Sequence, residues 1–170
     1  MVPAKEAIAD QLGTQALVTL PRHATHEIIW IMQKTPKDVA AAIIIERGRV
    51  LVTRRAPGQK LAGLWEFPGG KIEAGETAQT CIIRELAEEL AITCEAGEVL
   101  TSNIHSYPGG AINLIAVQAS MTCESWQLTV HDRAEWVAAD ELMALELAPA
   151  DIPIARWICE AFLPAEPGVG

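Results

Sequence analysis

The chain contains 170 residues, half of them apolar, and its formal net charge at pH 7 is −9. This length is sufficient for one domain with its own hydrophobic core. The acidic balance argues against binding to nucleic-acid polymers, which proteins contact largely through lysine and arginine. It does not exclude a single nucleotide whose phosphates arrive with metal ions.

The sequence shows no sign of export or of membrane insertion. No apolar run approaches the ~18 residues that a membrane-spanning helix needs. The N-terminus lacks the basic start and the continuous apolar core of a secretory signal. The cysteines are scattered without a C-x-x-C pair, at Cys81, Cys94, Cys123 and Cys159. We therefore expect reduced thiols, a cytoplasmic location and no membrane partner.

The first 31 residues differ from the rest of the chain. They contain a possible short helix at 4–12 and an apolar patch at 28–31, and Met32 follows directly. One interpretation is an upstream extension without a catalytic role, with Met32 as the effective start. The other is an added strand or a dimer contact built on residues 26–31. We expect these 31 residues to be an extension without a catalytic role.

Strands and helices alternate along the remainder. Apolar runs at 39–45 and 50–53, separated by a polar turn, predict a β-hairpin. A loop at 56–64 and a Pro-Gly-Gly turn at 68–70 follow. Further strands are predicted at 98–107, 111–122 and 135–138, and short helices at 140–145 and 153–162. This order suits an α/β fold in which helices cover both faces of a mixed sheet.

The most informative segment is 70–92, GKIEAGETAQTCIIRELAEELAI. Thr77 can cap a helix that runs to about Leu90. Its apolar stripe, expected to be buried, consists of Ile82, Ile83, Leu86 and Leu90. The adjoining stripe consists of Glu85, Glu88 and Glu89, which repel one another by about 0.2–0.5 kcal/mol per pair. The alternatives for this stripe are a solvated acidic face and a site for Mg²⁺ or Mn²⁺, and the surrounding residues favour the metal site.

This segment resembles the Nudix box, G-x5-E-x7-R-E-U-x-E-E-x-G-U (U apolar), of hydrolases that cut a nucleoside diphosphate linked to another group. Every defined position matches except Ala91, where the pattern has glycine. The flanking LWEFPGGKIE narrows the resemblance to MutT-type nucleoside triphosphate pyrophosphohydrolases. The resemblance implies the Nudix α/β/α sandwich with a mixed β-sheet over roughly residues 38–163. We place the Nudix domain at 37–170 and an N-terminal extension of uncertain structure at 1–36.

The resemblance also assigns roles to the box residues. The implied metal ligands are the carbonyl of Gly70 and the carboxylates of Glu85, Glu88 and Glu89. These glutamates and Arg84 are the predicted catalytic residues. Arg84 is expected to hold Glu76 or Glu85 in place without touching the substrate. An ordinary surface ion pair is the alternative for Arg84.

Residues outside the box helix are candidate substrate contacts: Arg54, Arg55, Phe67 and Asp151. Strand alternation places Arg54 and Arg55 on opposite faces, so we expect one to bind phosphate or base and the other to be solvated. Phe67 can stack on a base or belong to the core. Similar enzymes place an asparagine or aspartate facing the nucleobase at the position of Asp151. The alternative for Asp151 is a cap on the last helix.

The general base is less well defined. In many similar enzymes, a glutamate six residues before the tryptophan of the last strand binds metal or takes the proton. Here that tryptophan is Trp136, and the aligned position is Val130. His131 or Asp132 could substitute, or Glu85 could act alone. For His131 we expect a plain loop histidine.

The implied function is a Mg²⁺- or Mn²⁺-dependent nucleoside triphosphate pyrophosphohydrolase that releases a nucleoside monophosphate and pyrophosphate, as a monomer or homodimer. We expect it to clear oxidised or modified (d)NTPs such as 8-oxo-dGTP from the nucleotide pool. One alternative substrate is CTP or a 5-substituted dCTP. ADP-ribose or a dinucleoside polyphosphate is a further alternative, for which Tyr107 and Pro108 are the pointers. The last alternative is a different function, that of a non-catalytic Nudix nucleotide-binding module.

Overall fold

The computed structural model describes residues 35–122 and 125–162. The predicted helix at 4–12 and the patch at 28–31 lie outside the described residues, so an N-terminal extension at 1–36 stays a prediction. No helix in the two described ranges combines the length and the apolar character that crossing a bilayer requires.

The strands are β1 (Lys37–Glu46), β2 (Arg49–Arg55), β3 (Trp65–Glu66), β4 (Gly69–Lys71), β5 (Cys94–Tyr107), β6 (Gly110–Met121) and β7 (His131–Ala138). The helices are α1 (Ala78–Leu90) and α2 (Ile152–Phe162), with a 3-10 helix at Ala139–Ala144 between β7 and α2. Each element predicted between residues 39 and 162 is therefore present. The sequence missed β3 and β4, because two or three residues are too few to show an alternating pattern.

The sheet is mixed, as predicted, and β1 lies at its centre. Its strand order is β3-β2-β1-β6-β5, with β4 paired to β1 and β7 paired to β2. Strand β1 runs parallel to β6, where Val39 pairs with Leu114, and antiparallel to β4, where Ala40 pairs with Gly70. The pairing with β4 brings the glycines of the Pro-Gly-Gly segment against the central strand.

Alternate residues of β1 belong to two separate cores. The core under α1 includes Ala40, Ala42 and Ile44 from β1 and Cys81, Ile82, Leu86 and Leu90 from the helix. The core under α2 includes Ala41 and Ile43 from β1 and Ile154, Ala155 and Ile158 from the helix. The fold is therefore the expected α/β/α sandwich, with one helix on each face of the sheet.

A local sequence signal determines the start of α1, whereas its end is strained. The amide of Thr77 donates to Oγ1 of Thr80 (2.9 Å), and the amide of Thr80 donates to Oγ1 of Thr77 (3.1 Å). This capping box confirms the predicted start of the helix. Ala91 ends it in the left-handed conformation, with φ of 53°. Glycine adopts that conformation without the strain that a Cβ introduces, so Ala91 carries a local cost.

The prediction that Ile83 belongs to the buried apolar stripe of α1 was wrong. Ile83 is 44% exposed, and the fully buried Cys81 takes its place in the core. At about 100° per residue, the buried face extends over about 180°, from Cys81 to Leu90. Ile83 lies about 20° beyond Leu90, outside this face.

Candidate active site

The helical periodicity of α1 separates its three glutamates. At about 100° per residue, Glu85 and Glu89 lie about 40° apart, in the interval between the buried Cys81 and Ile82. Both carboxylates are therefore on the side of the helix that faces the sheet. Glu88 lies about 60° outside Glu85, and its side chain is 62% exposed.

A cavity of about 880 Å³ opens beside this face of α1. One group of its lining residues consists of Gly70, Glu85 and Glu89, and a second group of Phe67, Tyr107, Ala150 and Asp151. Lysine and arginine also contribute to the wall, from Lys37, Arg55, Lys60 and Lys71. The cavity thus combines carboxylates, cationic side chains and an apolar wall.

Gly70 lies directly against Glu85. A Cβ added at Gly70 would overlap the Glu85 carboxylate. The carbonyl of Gly70 also lies 3.5 Å from the thiol sulfur of Cys81. Glycine at this position therefore leaves the space that the carboxylate occupies, and it brings a main-chain carbonyl close to α1.

Arg84 holds the carboxylates that surround this contact. Its Nε and Nη2 donate to the two oxygens of Glu76 at 2.7 and 2.9 Å, and its Nη1 donates to Oε1 of Glu85 at 2.8 Å. A longer bond of 3.3 Å reaches Glu88. The hydrogen bonds from Arg84 lower the pKa of Glu76 to about 2. The geometry suits the holding role predicted for Arg84, which is not among the residues that line the cavity.

Glu89 differs from Glu85 in its surroundings. The pKa of the Glu89 carboxyl rises to about 7, mainly because of burial. His131 opposes this rise, and the nearby charges of Glu85 and Glu66 add to it. A cation beside Glu89 would favour its ionised form.

The oxygen donors at this wall fit a hard divalent cation. The Gly70 carbonyl and the carboxylates of Glu85 and Glu89 are the donors near the Gly70–Glu85 contact. Within residues 35–122 and 125–162, no three acidic, histidine or cysteine side chains form a preassembled metal cluster. Mg²⁺ keeps several waters and takes substrate phosphates as ligands, so a small set of protein oxygens is sufficient. Glu88 as a further ligand stays a prediction.

His131 is a buried residue of the site, and its interpretation as a plain loop histidine was wrong. It begins β7, and its side chain is 3% exposed. Its Nε2 lies 3.0 Å from Oε1 of Glu66, and its Nδ1 lies 3.9 Å from Oε2 of Glu89. The fold places His131 there through the β2–β7 pairing, which the sequence alone does not reveal.

The two adjacent arginines of β2 point in different directions, as strand alternation predicted. Arg55 lines the cavity, and its Nη1 donates to both carboxylate oxygens of Glu66 at 2.9 and 2.7 Å. Arg54 instead donates to the two oxygens of Asp132 at 2.8 and 2.9 Å. Arg54 and Asp132 therefore satisfy each other and are not among the cavity residues.

Asp151 and Phe67 form a buried polar contact in the cavity wall. Asp151 is 5% exposed and Phe67 is 3% exposed. The main-chain amide of Phe67 donates to Oδ1 of Asp151 at 3.0 Å. Burial is the main reason that the pKa of Asp151 rises to about 7. The main-chain carbonyl of Asp151 accepts from the amide of Ala155, so Asp151, which immediately precedes α2, also makes a main-chain hydrogen bond to its first turn.

Comparisons with known proteins identify the family. The NUDIX domain model matches residues 35–158. The chain is 37% identical over 126 residues to the CTP pyrophosphohydrolase of Escherichia coli K12, covering 74% of this chain and 90% of that protein. It is 33% identical over 119 residues to the 8-oxo-dGTP diphosphatase of the same organism, covering 69% and 92% respectively.

A solved structure agrees with these sequence relatives. The solution structure of the E. coli ORF135 protein superposes with a TM-score of 0.66 at 34% identity, covering 79% of this chain and 98% of that one. The box segment, the sandwich fold and the relatives agree. The chain therefore belongs to the Nudix family and is a hydrolase that acts on pyrophosphate bonds.

Proposed function

We propose that this protein is a Mg²⁺- or Mn²⁺-dependent nucleoside triphosphate pyrophosphohydrolase that removes oxidised or modified (d)NTPs, such as 8-oxo-dGTP, from the nucleotide pool. Nudix hydrolases act on nucleotides and generally use a divalent metal. The observation that carries the proposal is the shared cavity. It is lined both by the carboxylates of Glu85 and Glu89 and by the buried pair of Asp151 and Phe67.

The first group of residues would act on the polyphosphate. Gly70, Glu85 and Glu89, together with Glu88 by prediction, would hold the cation. When bound, the cation neutralises charge on the phosphoryl oxygens and makes a water more acidic. Arg84 fixes Glu85 through a bond of 2.8 Å. The cationic side chains of the wall attract the triphosphate.

Glu85 is the best placed of the three candidate bases. Asp132 and His131 are not among the residues that line the cavity, and His131 is buried against Glu66. Glu85 itself lines the cavity. We assign to Glu85 the proton of the water that attacks phosphorus in line. Attack releases a nucleoside monophosphate and pyrophosphate.

The second group would select the base. Phe67 and Tyr107 supply aromatic wall surface, and Asp151 supplies a carboxyl group beside it. An ionised carboxylate accepts a hydrogen bond, which suits an N–H of an oxidised guanine or the N4 amino group of cytosine. The similarity to a CTP pyrophosphohydrolase makes CTP or a 5-substituted dCTP the second candidate.

A substrate panel tests the proposal. The full chain is incubated with Mg²⁺ and each of the (d)NTPs, 8-oxo-dGTP, 5-substituted dCTP, ADP-ribose and diadenosine polyphosphates. Products are separated by ion-exchange chromatography, and reactions in ¹⁸O-water show which phosphorus is attacked. We expect the highest kcat/KM with an oxidised or modified triphosphate, and pyrophosphate as co-product.

Two results would contradict the proposal in different ways. Preference for ADP-ribose or a dinucleoside polyphosphate would support the assignment as a hydrolase but contradict the proposed substrate class. Release of inorganic phosphate in place of pyrophosphate would show that a different bond is cut. For variants of Glu85, Glu88 or Glu89, Glu98→Gln is the control for loss of an acidic side chain outside the site, since Glu98 is an exposed residue of β5.

A further inference from the structure

A line of four side chains connects β2 to the predicted metal ligands on α1. Arg55 donates to Glu66, Glu66 lies 3.0 Å from Nε2 of His131, and Nδ1 of His131 lies 3.9 Å from Oε2 of Glu89. These residues come from β2, β3, β7 and α1 respectively. The histidine is thus the contact between two parts of the cavity wall.

An irregularity in the β2–β7 pairing places the histidine. Arg54 pairs with Arg133, whereas Arg55 pairs with His131, so Asp132 is an extra residue on β7. The extra residue turns to Arg54, and His131 is left opposite Arg55. A bulge of this kind re-aims a side chain beside a functional site.

The ring is anchored on one side and unsatisfied on the other. Glu66 is fixed by Arg55 and holds Nε2 of His131. Nδ1 is buried and has no hydrogen-bond partner within the described residues. Glu89 is the carboxylate that it faces, at 3.9 Å. A buried polar atom without a partner is uncommon and requires an explanation.

We propose that His131 is a positioning residue, which holds the Glu89 carboxylate for the cation and braces it against Glu66. The inference rests on the proposed function, because it takes Glu89 as a metal ligand. His131 does not touch the substrate or the reacting atoms. Partners behind a ligand commonly change metal affinity by about 10- to 100-fold when they are removed.

Two conservative variants separate the two sides of the ring. Asparagine can place either an amide N–H or a carbonyl at the position of Nδ1, and glutamine can do so at the position of Nε2. His131→Asn therefore retains a group that faces Glu89, whereas His131→Gln retains the contact with Glu66 and loses the one that faces Glu89. Arg133→Gln is the matched control, since Arg133 is an exposed residue of the same strand.

The quantity measured is the Kd for binding of Mn²⁺ to the full chain without nucleotide. Binding is monitored by electron paramagnetic resonance at a temperature well below the Tm of each variant. We expect His131→Gln to weaken Mn²⁺ binding about 10- to 100-fold. Arg133→Gln should bind Mn²⁺ like the wild type. His131→Asn keeps a group that faces Glu89 but loses the contact with Glu66, so it should weaken binding less than His131→Gln does. Equal binding by all variants, or equal loss in both histidine variants, would overturn the inference.

A second measurement needs no variant and so does not depend on folding. The ring nitrogens of ¹⁵N-labelled histidine are followed by NMR while Mg²⁺ is added. We expect the His131 signals to shift as Mg²⁺ is added, with a concentration dependence that gives the Kd of Mg²⁺. The signals of the half-buried His105 on β5 should shift less than those of His131. Mg²⁺ binding without a shift of His131 would reject the positioning role alone. Absence of metal binding and of hydrolysis in the wild type would instead reject the proposed function.

Discussion

Oδ1 of Asp151 accepts a 3.0 Å hydrogen bond from the main-chain amide of Phe67, so the first turn of α2 is tied to the segment between β3 and β4. The same two residues line the cavity. A single contact thus connects the packing of α2 with the region where we expect the nucleobase.

The burial of Asp151 predicts a pH-dependent stability. Its pKa rises from 3.8 to about 7 in the folded protein, so between these values the folded state binds more protons than the unfolded state. Its contribution to stability is complete below the unfolded pKa and is lost as the pH rises towards 7. Asp151→Asn removes this titration and can still accept from Phe67. We expect the variant to be more stable than wild type by at least ~1 kcal/mol at pH 8.

Urea unfolding of both proteins from pH 4 to pH 8 measures this difference. The gap between them should widen with pH. A constant gap over the whole range would show that Asp151 keeps an ordinary pKa.

The same substitution tests base recognition. Above pH 7, where the Asp151 carboxyl is ionised, asparagine exchanges a pure acceptor for a mixed donor and acceptor. If Asp151 contacts the base, the ratio of kcat/KM between a cytosine and a guanine nucleotide should change by about 1–3 kcal/mol, or roughly 5- to 150-fold. Steady-state kinetics with both nucleotides provide the ratio. An unchanged ratio would leave Asp151 a structural role and direct attention to Arg55 and Phe67.

The glutamates of α1 provide a test of the metal site. Glu89→Gln and Glu88→Gln should each lower kcat at least ~10²-fold, because each removes a charge that holds the cation. The bond between Arg84 and Glu88 is 3.3 Å, the longest that Arg84 makes to a carboxylate. The Glu88 carboxylate can therefore reorient. EDTA should abolish activity, and Mg²⁺ or Mn²⁺ should restore it. Near-normal rates in a folded glutamine variant would remove that residue from the ligand set.

Substitution of Ala91 is expected to change the stability of the protein but not its catalytic rate. It ends α1 with φ of 53°, a conformation that disfavours every residue with a Cβ. Ala91→Gly should therefore stabilise the protein by about 1 kcal/mol, which corresponds to an increase in Tm of roughly 2–4 °C at this size. Calorimetry measures the shift, and kcat should stay at the wild-type value. A lower Tm would mean that Ala91 contributes packing that outweighs its strain.

Features that depend on neighbouring residues were predictable from the sequence. The Thr77 cap, the end of α1 at Leu90 and the opposite orientations of Arg54 and Arg55 all follow from local spacing. The burial of Glu89 and the orientation of His131 do not, since they depend on how α1 and β7 meet strands that are distant in sequence. The exposure of Ile83 was missed because the sequence gives the angular order of a helix but not the direction from which the sheet approaches.

The bare backbone of Gly70 against Glu85 makes the spacing between layers a determinant of reactivity. No side chain stands between the β4 strand and the carboxylate to absorb a displacement. The small residues Ala40 and Ala42 of β1 pack in the core under α1. Enlarging either alanine to valine would lift the helix and carry the carboxylate away from the Gly70 carbonyl. We therefore expect these core substitutions to lower kcat, although neither alanine is a predicted substrate contact.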